Sequence, residues 1–363
     1  MTGALDGLLI ADFGRVLAGP YATMMLADLG AEVVKIERPG TGDDTRSWGP
    51  PFDDRGIATY YLSVNRNKRS EALDLRDTDD RARAVDLAAR ADVVVENFLP
   101  GALDRLGLGY DAVRALNPDV IYCSITGFGQ DSALPGYDLV VQGVGGLMSM
   151  TGPAPGQPIR AGVAVVDVLT GLHAAVGILA ALRHRDATGE GQRVEVDLMS
   201  CLLSSLVNQS SGYLLGGSIP QAMGNKHPSL VPYEVFAARD KPLVIACGND
   251  RQFRSLVRVL GVPELADDAR YRTNTARVEH REVLVPLLNK LLRSADAHDW
   301  AHRMSAVGVP AGPVNNLAEA FEYAVGQGLK PIADCDGQRQ VANPIRMSVT
   351  PPTYRTAPPA LGE

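Results

Sequence analysis

Two short apolar runs near the start of the chain, Gly7 to Phe13 and Ala31 to Glu37, are bounded by Gly and Pro, which is the pattern of buried strands. Between them a loop from Gly14 to Pro20 leads into a segment whose apolar residues Ala22, Met24, Met25, Leu26 and Leu29 suit a helix, closed by Gly30. This makes one βαβ unit. The alternation continues with a predicted helix over 79–90, a strand over 92–97, a helix over 110–116 and a strand over 120–125. A further strand is predicted to end at Asp167 and to run into a long apolar helix over 169–182, followed by a strand over 193–197. Strands separated by helices predict an α/β fold, a large Rossmann-like domain on a doubly wound parallel sheet.

From about Asn225 the texture changes. Short strands over 233–236 and 242–247 are followed by charged amphipathic helices between Arg251 and Met304, and beyond Pro310 the chain is rich in Pro and Gly with one helix over 317–325. The expected division is a large domain over 1–205, a smaller α+β domain over 225–320, and a C-terminal segment over 321–363 that returns to the large domain.

With 363 residues and ordinary apolar content, the chain can bury a sizeable core. Its net charge of -7 gives no electrostatic reason to expect nucleic acid or an anionic membrane as partner, so any anionic ligand needs a local basic site. The scattered cysteines Cys123, Cys201, Cys247 and Cys335 read as small buried hydrophobes. No signal pattern and no uncharged run long enough to span a bilayer is visible, so a cytoplasmic location is expected.

Ligands of open parallel sheets sit beyond the carboxyl ends of the strands, which draws attention to Gly14–Pro20, to Arg38, to Asn97–Gly101 and to Asp167. The first loop lacks G-x-G-x-x-G, so NAD and FAD are not signalled. Arg38 stands where such folds contact a ribose or its phosphate, and Arg66, Lys68 and Arg69 add either a phosphate-binding cluster or, more simply, a solvated basic surface. Asp167 is isolated among about twenty apolar or small neighbours, which suits a helix cap, a functional carboxylate, or both. The histidines show no metal-ligand spacing, and no metal is expected; His173 is expected to pack within the long helix. Neither G-x-S-x-G nor a P-loop occurs.

The runs Leu17 to Arg46, Val95 to Tyr110, Cys123 to Gln130, Gly224 to Phe236, Gly248 to Phe253 and Gly308 to Asn316 together resemble the class III CoA-transferase family, which also contains the α-methylacyl-CoA racemases. The resemblance implies two subunits threaded through each other as an interlocked homodimer, with coenzyme A, as acyl-CoA, and a free carboxylic acid as substrates. It implies Asp167 as the catalytic residue. CoA contacts are implied at Leu17, Ala18, Arg38, Leu73, Asp74, Leu75, Arg76, Asn97, Phe98, Leu99, Arg105, Gly136, Tyr137 and Asp138. Some relatives have Gln where this chain has Leu17, so a polar contact to an intermediate is missing here.

The implied mechanism is covalent, through mixed anhydrides and an aspartyl-CoA thioester. The loop carrying Gly248, Asn249, Asp250 and Gln252 is expected to cover the site and to offer N–H groups to an oxyanion. Racemases of the family need a His in a Gly-His-Asp triplet, which here reads Gly136-Tyr137-Asp138. A phenol is a poor proton acceptor at neutral pH, so transfer is the better reading. The motifs around Asn225 to Tyr233 look closest to relatives acting on dicarboxylic acids such as succinate and glutarate, and Arg15, Lys226 or His227 could meet the second carboxylate.

Overall fold

The computed structural model describes residues 3–363. They form two compact units. The first comprises residues up to Met148 with Arg160–Pro220 and Leu329–Glu363, and the second comprises Ser149–Ile159 with Gln221–Gly328. The chain thus leaves the first unit twice, once for the short stretch from Ser149 and once for the longer one from Gln221.

In the first unit β1 (Leu9–Asp12), β2 (Glu32–Glu37), β3 (Lys68–Ala72), β4 (Val93–Glu96), β5 (Ile121–Thr126) and β6 (Arg193–Asp197) form one sheet in the order β3-β2-β1-β4-β5-β6. Every pairing is parallel, as expected for a doubly wound fold. One face packs the helices Ala18–Asp28 and Val165–Thr188 through Ala22, Leu26, Ala174 and Ile178. The two helices approach closely because Gly171 lacks a Cβ, which would lie 2.7 Å from the Ala18 carbonyl oxygen. The other face buries Phe13, Leu73, Leu87 and Tyr122. The antiparallel pair β10 (Ile332–Cys335) and β11 (Gln338–Val341) also belongs to this unit.

Two expectations about the long helix are corrected here. Residues before Asp167 form no strand; they are irregular up to Ala164, and the helix starts at Val165, so Asp167 is its third residue. That helix is also long and apolar enough to cross a membrane by length and composition, although it packs through one side into the core of this unit. His173, on the same helix, is exposed, its Nδ1 2.8 Å from the Leu169 carbonyl oxygen.

The basic cluster divides: two of its members are buried in ion pairs and one is on the surface. Arg66 and Lys68 are buried, Arg66 on Asp28 (2.6 Å) and Lys68 on Asp12 (3.0 Å), and only Arg69 is exposed. Lys68 opens β3, which sequence patterning alone does not reveal. β3 is an edge strand, and the C-terminal segment runs beside it: Asn67 N–H donates to the Thr356 carbonyl (3.1 Å) and Ser70 N–H to that of Glu363 (2.6 Å).

In the second unit β7 (Tyr233–Ala237), β8 (Pro242–Ala246) and β9 (Ala311–Pro313) form an antiparallel sheet packed with helices around Phe236, Leu243, Phe253, Leu288 and Trp300. Arg277 is buried within it. Its guanidinium donates to the Val231 carbonyl (2.6 Å), the Tyr271 carbonyl (2.9 Å) and the Asp250 carboxylate (2.9 Å), over the Phe253 ring.

Candidate active site

β1 and β4 are neighbours whose chains depart in opposite directions, so a crevice opens beyond their carboxyl ends. A cavity of about 270 Å³ lies there, lined by Arg15, Leu17 and Ala18 after β1, by Asn97, Phe98 and Leu99 after β4, by Gly136 and Tyr137, and by Asp167. A second cavity of about 310 Å³ is lined by Arg38, Leu73, Asp74, Leu75 and Arg76. Arg15 and Phe98 line both, with the guanidinium 4.3 Å from the ring centroid. Of the positions expected to contact CoA, only Arg105 and Asp138 line neither; Arg105 is exposed near Gly101, and Asp138 faces the start of the Val165–Thr188 helix.

The loop after β1 is held residue by residue. Asp12 accepts from Gly14 N–H (2.8 Å), the Lys35 ammonium donates to the Gly14 carbonyl (2.6 Å), and the Asn97 amide both accepts from Arg15 N–H (2.8 Å) and donates to its carbonyl (2.7 Å). Asp43 accepts from Val16 N–H (3.1 Å), fixing a non-glycine residue at φ 66°. Lys35 and Asp43 form a buried ion pair (3.0 Å) beside Asp12 and Lys68. Burial works against both charges of the Lys35–Asp43 pair, yet the partners outweigh it: Lys35 is held above its ordinary range and Asp43 is pulled down to about 2. Lys68, with less compensation and Lys35 nearby, is pushed down by burial to about 8. Lys35 and Asp43 were not legible as part of the site, since a Lys in the middle of a strand gives no local sign of what it faces.

The loop following β5 is shaped by a glycine pair. A Cβ on Gly136 would lie 2.2 Å from the Gly127 Cα, so no other residue fits there without backbone movement.

Asp167 stands in the first turn of its helix, behind Ala164, which supplies no side-chain cap. Among the described residues none donates a hydrogen bond to its carboxylate. Burial, reinforced by the Asp138 anion, pushes it up to about 7. Tyr60, in the helix Thr59–Leu62, is pushed by burial and by Asp167 up to about 12. An unpaired carboxylate that still ionises near neutrality, and that opens into a cavity, is suited to nucleophilic attack. Arg38 pairs with Asp44 at the rim, and Arg15 Nε is buried with no partner. Among the described residues no group of His, Cys, Asp and Glu could hold a metal.

Lys226, His227 and the Gly248–Gln252 loop belong to the second unit and are not among the residues that line these cavities. Lys226 pairs with Glu282 (3.4 Å), and the His227 ring stacks at a tilt against Tyr233. The Gly248 N–H is taken by the Gln252 side chain (2.8 Å), Asn249 caps the helix Asp250–Val259, and Gln252 donates onward to the Gly308 carbonyl (3.2 Å).

Residues 5–363 match the model of CoA-transferase family III. The chain is 43% identical to a succinate–glutarate CoA-transferase of Agrobacterium fabrum, over 99% of this chain and 93% of that one. It is 44% identical to the succinyl-CoA:glutarate CoA-transferase of Homo sapiens, over 87% and 73%. A crystal structure of a CaiB/BaiF family protein from Brucella suis superposes with a TM-score of 0.91 at 42% identity, covering 100% of this chain and 97% of that one. The chain is thus an enzyme of the CoA-transferase class and belongs to CoA-transferase family III.

Proposed function

We propose that this enzyme moves CoA from an acyl-CoA such as succinyl-CoA to a free dicarboxylate, with Asp167 as nucleophile. The observation that carries this is the unpaired carboxylate at the Asp167 cavity, adjoining a second cavity edged by Arg38 and Arg76 that suits the phosphorylated end of CoA. The Asp167 carboxylate attacks the thioester carbonyl and expels CoA thiolate, leaving a mixed anhydride. The thiolate then attacks the aspartyl carbonyl, which gives aspartyl-CoA and releases the donor acid. An acceptor carboxylate attacks aspartyl-CoA and expels CoA thiolate to give a second mixed anhydride, and the thiolate then attacks its acceptor carbonyl, taking the new acyl group and freeing Asp167. No net bond energy is lost, because a thioester and a carboxylate are exchanged for the same.

A dicarboxylate is favoured by the relatives that carry succinate and glutarate in their names and by Arg15, whose buried Nε has no partner and which faces the Asp167 cavity. The homodimer is favoured by apolar side chains left bare on the first unit, among them Val176, Leu214, Leu215 (90% exposed) and Ile219, which a second copy would cover. Epimerisation at an α-carbon is disfavoured, because Tyr137 occupies the place of the second base.

The test is incubation of the purified enzyme with succinyl-CoA and a panel of free acids, with mass spectrometry of every acyl-CoA formed. New acyl-CoA species matching an added dicarboxylate are expected. Asp167→Asn is expected to lose at least about 1,000-fold in exchange with no fall in melting temperature, since that carboxylate holds no partner. Retained exchange in the variant would refute the assignment.

A further inference from the structure

The helix Val165–Thr188 begins without a cap of its own, and the missing acceptor comes from another element. Asp138, first residue of the helix Asp138–Val144, accepts through one oxygen from Val166 N–H (2.8 Å) and Asp167 N–H (3.4 Å). Its other oxygen accepts from the Gln142 amide (2.6 Å). Gln142 is fully buried and ties the same junction a second time, accepting from Ala161 N–H (2.9 Å). Both oxygens of Asp138 are therefore committed, and the N–H groups that would otherwise favour an anion on Asp167 are spent on Asp138.

We propose that Asp138 is a positioning residue: clamped by Gln142, it caps the helix that carries Asp167 and sets a second negative charge beside the nucleophile. This rests on the reading of Asp167 as nucleophile. The effect has chemical value, because a carboxylate of higher basicity is a better nucleophile toward a thioester, so long as it still ionises at working pH. The titratable and charged groups that act on Asp167 or line its cavity are Asp138, the phenols of Tyr60 and Tyr137, Arg15 and Asp44. Asp138 is the one whose charge adds to burial in raising it.

The experiment labels aspartate carboxyl carbons with ¹³C and assigns the Asp167 resonance by its loss in Asp167→Asn. In Asp138→Asn the cap acceptor remains but the charge is gone, and the Asp167 titration midpoint is expected to fall by about one unit. In Asp138→Glu the midpoint is expected to stay near the wild-type value. The acid limb of the exchange rate should move with the resonance. An unchanged midpoint in Asp138→Asn, with the melting temperature preserved, would overturn the proposal. If the wild-type enzyme exchanged no CoA at all, the nucleophile reading would fall while the resonance still decided the electrostatic claim. Should Asp138→Asn unfold, Asp138→Ser, which also removes the charge while leaving an oxygen to cap the helix, is expected to lower the midpoint, and a rise or no change there would count equally against it.

Discussion

Replacing Lys35 by Met isolates the contribution of the buried charges beneath the β1 loop. Three anions, Asp12, Glu37 and Asp43, are balanced there by Lys35, Lys68 and Arg46, and Met leaves one charge uncompensated. Asp43 lies at about 2 instead of an ordinary 3.8, which corresponds to roughly 2 kcal/mol at about 1.4 kcal/mol per unit. The stranded Gly14 carbonyl, now without its donor, adds about 1–3 kcal/mol. The sum, about 3–5 kcal/mol, agrees with the usual cost of breaking a buried pair. In a unit of this size the melting temperature should fall by about 6–20 °C. The sign of the pH dependence is fixed. Asp43 lies below its unfolded value, so its stabilisation is complete above about pH 4 and fades as pH falls toward 2. Without Lys35 its carboxyl can protonate earlier, so the gap between variant and wild type should narrow from pH 7 to pH 4. Melting followed by circular dichroism at both values decides it. A gap under about 2 °C, or one that does not narrow on acidification, would refute the account of Lys35 as the charge that holds this loop.

Two further outcomes are expected. Gly136→Ala places a Cβ 2.2 Å from the Gly127 Cα, so it should cost about 1–3 kcal/mol or more and weaken acyl-CoA binding, whereas Gly326→Ala, which meets open space, should leave both unchanged in melting and binding assays. Arg277→Met strands the Val231 and Tyr271 carbonyls and Asp250 and should cost about 3–5 kcal/mol, seen as loss of hydrogen-exchange protection over 221–328 before the parallel sheet loses its own.

Most of the sheet could be read from the sequence because β1, β2, β4 and β5 are continuous apolar runs between glycines and helical segments. β3 could not, since Lys68, Arg69 and Glu71 resemble surface, and what buries Lys68 is Asp12, far away in sequence. The stretch before Asp167 misled for the converse reason: Ala, Gly and Val suit a strand, but no neighbouring strand is there to pair with it, and the segment ends in a turn of helix. Asp167 itself stood out as a lone acid in an apolar stretch. Its capping partner did not, because Asp138 meets the helix only after the chain has turned back, and a Gly-Tyr-Asp triplet says nothing of where its carboxylate points. Arg15, Arg38 and Phe98 came together where parallel-sheet topology puts ligands, whereas the Lys35 and Asp43 beneath them needed three dimensions.

The pairing of Asn67 and Ser70 with the C-terminal segment bears on how the chain is made. Thr353, whose carbonyl accepts from the Asn67 side chain, lies about 280 residues after the end of β3. At a synthesis rate of about 5–20 residues per second, that edge waits roughly 15–60 s for its cover after it leaves the ribosome. During that interval an unpaired strand is open to wrong partners. The charges that hid β3 from sequence reading, Arg69 and Glu71 on its outer positions, are the residues that make such an edge unattractive to another strand while it waits.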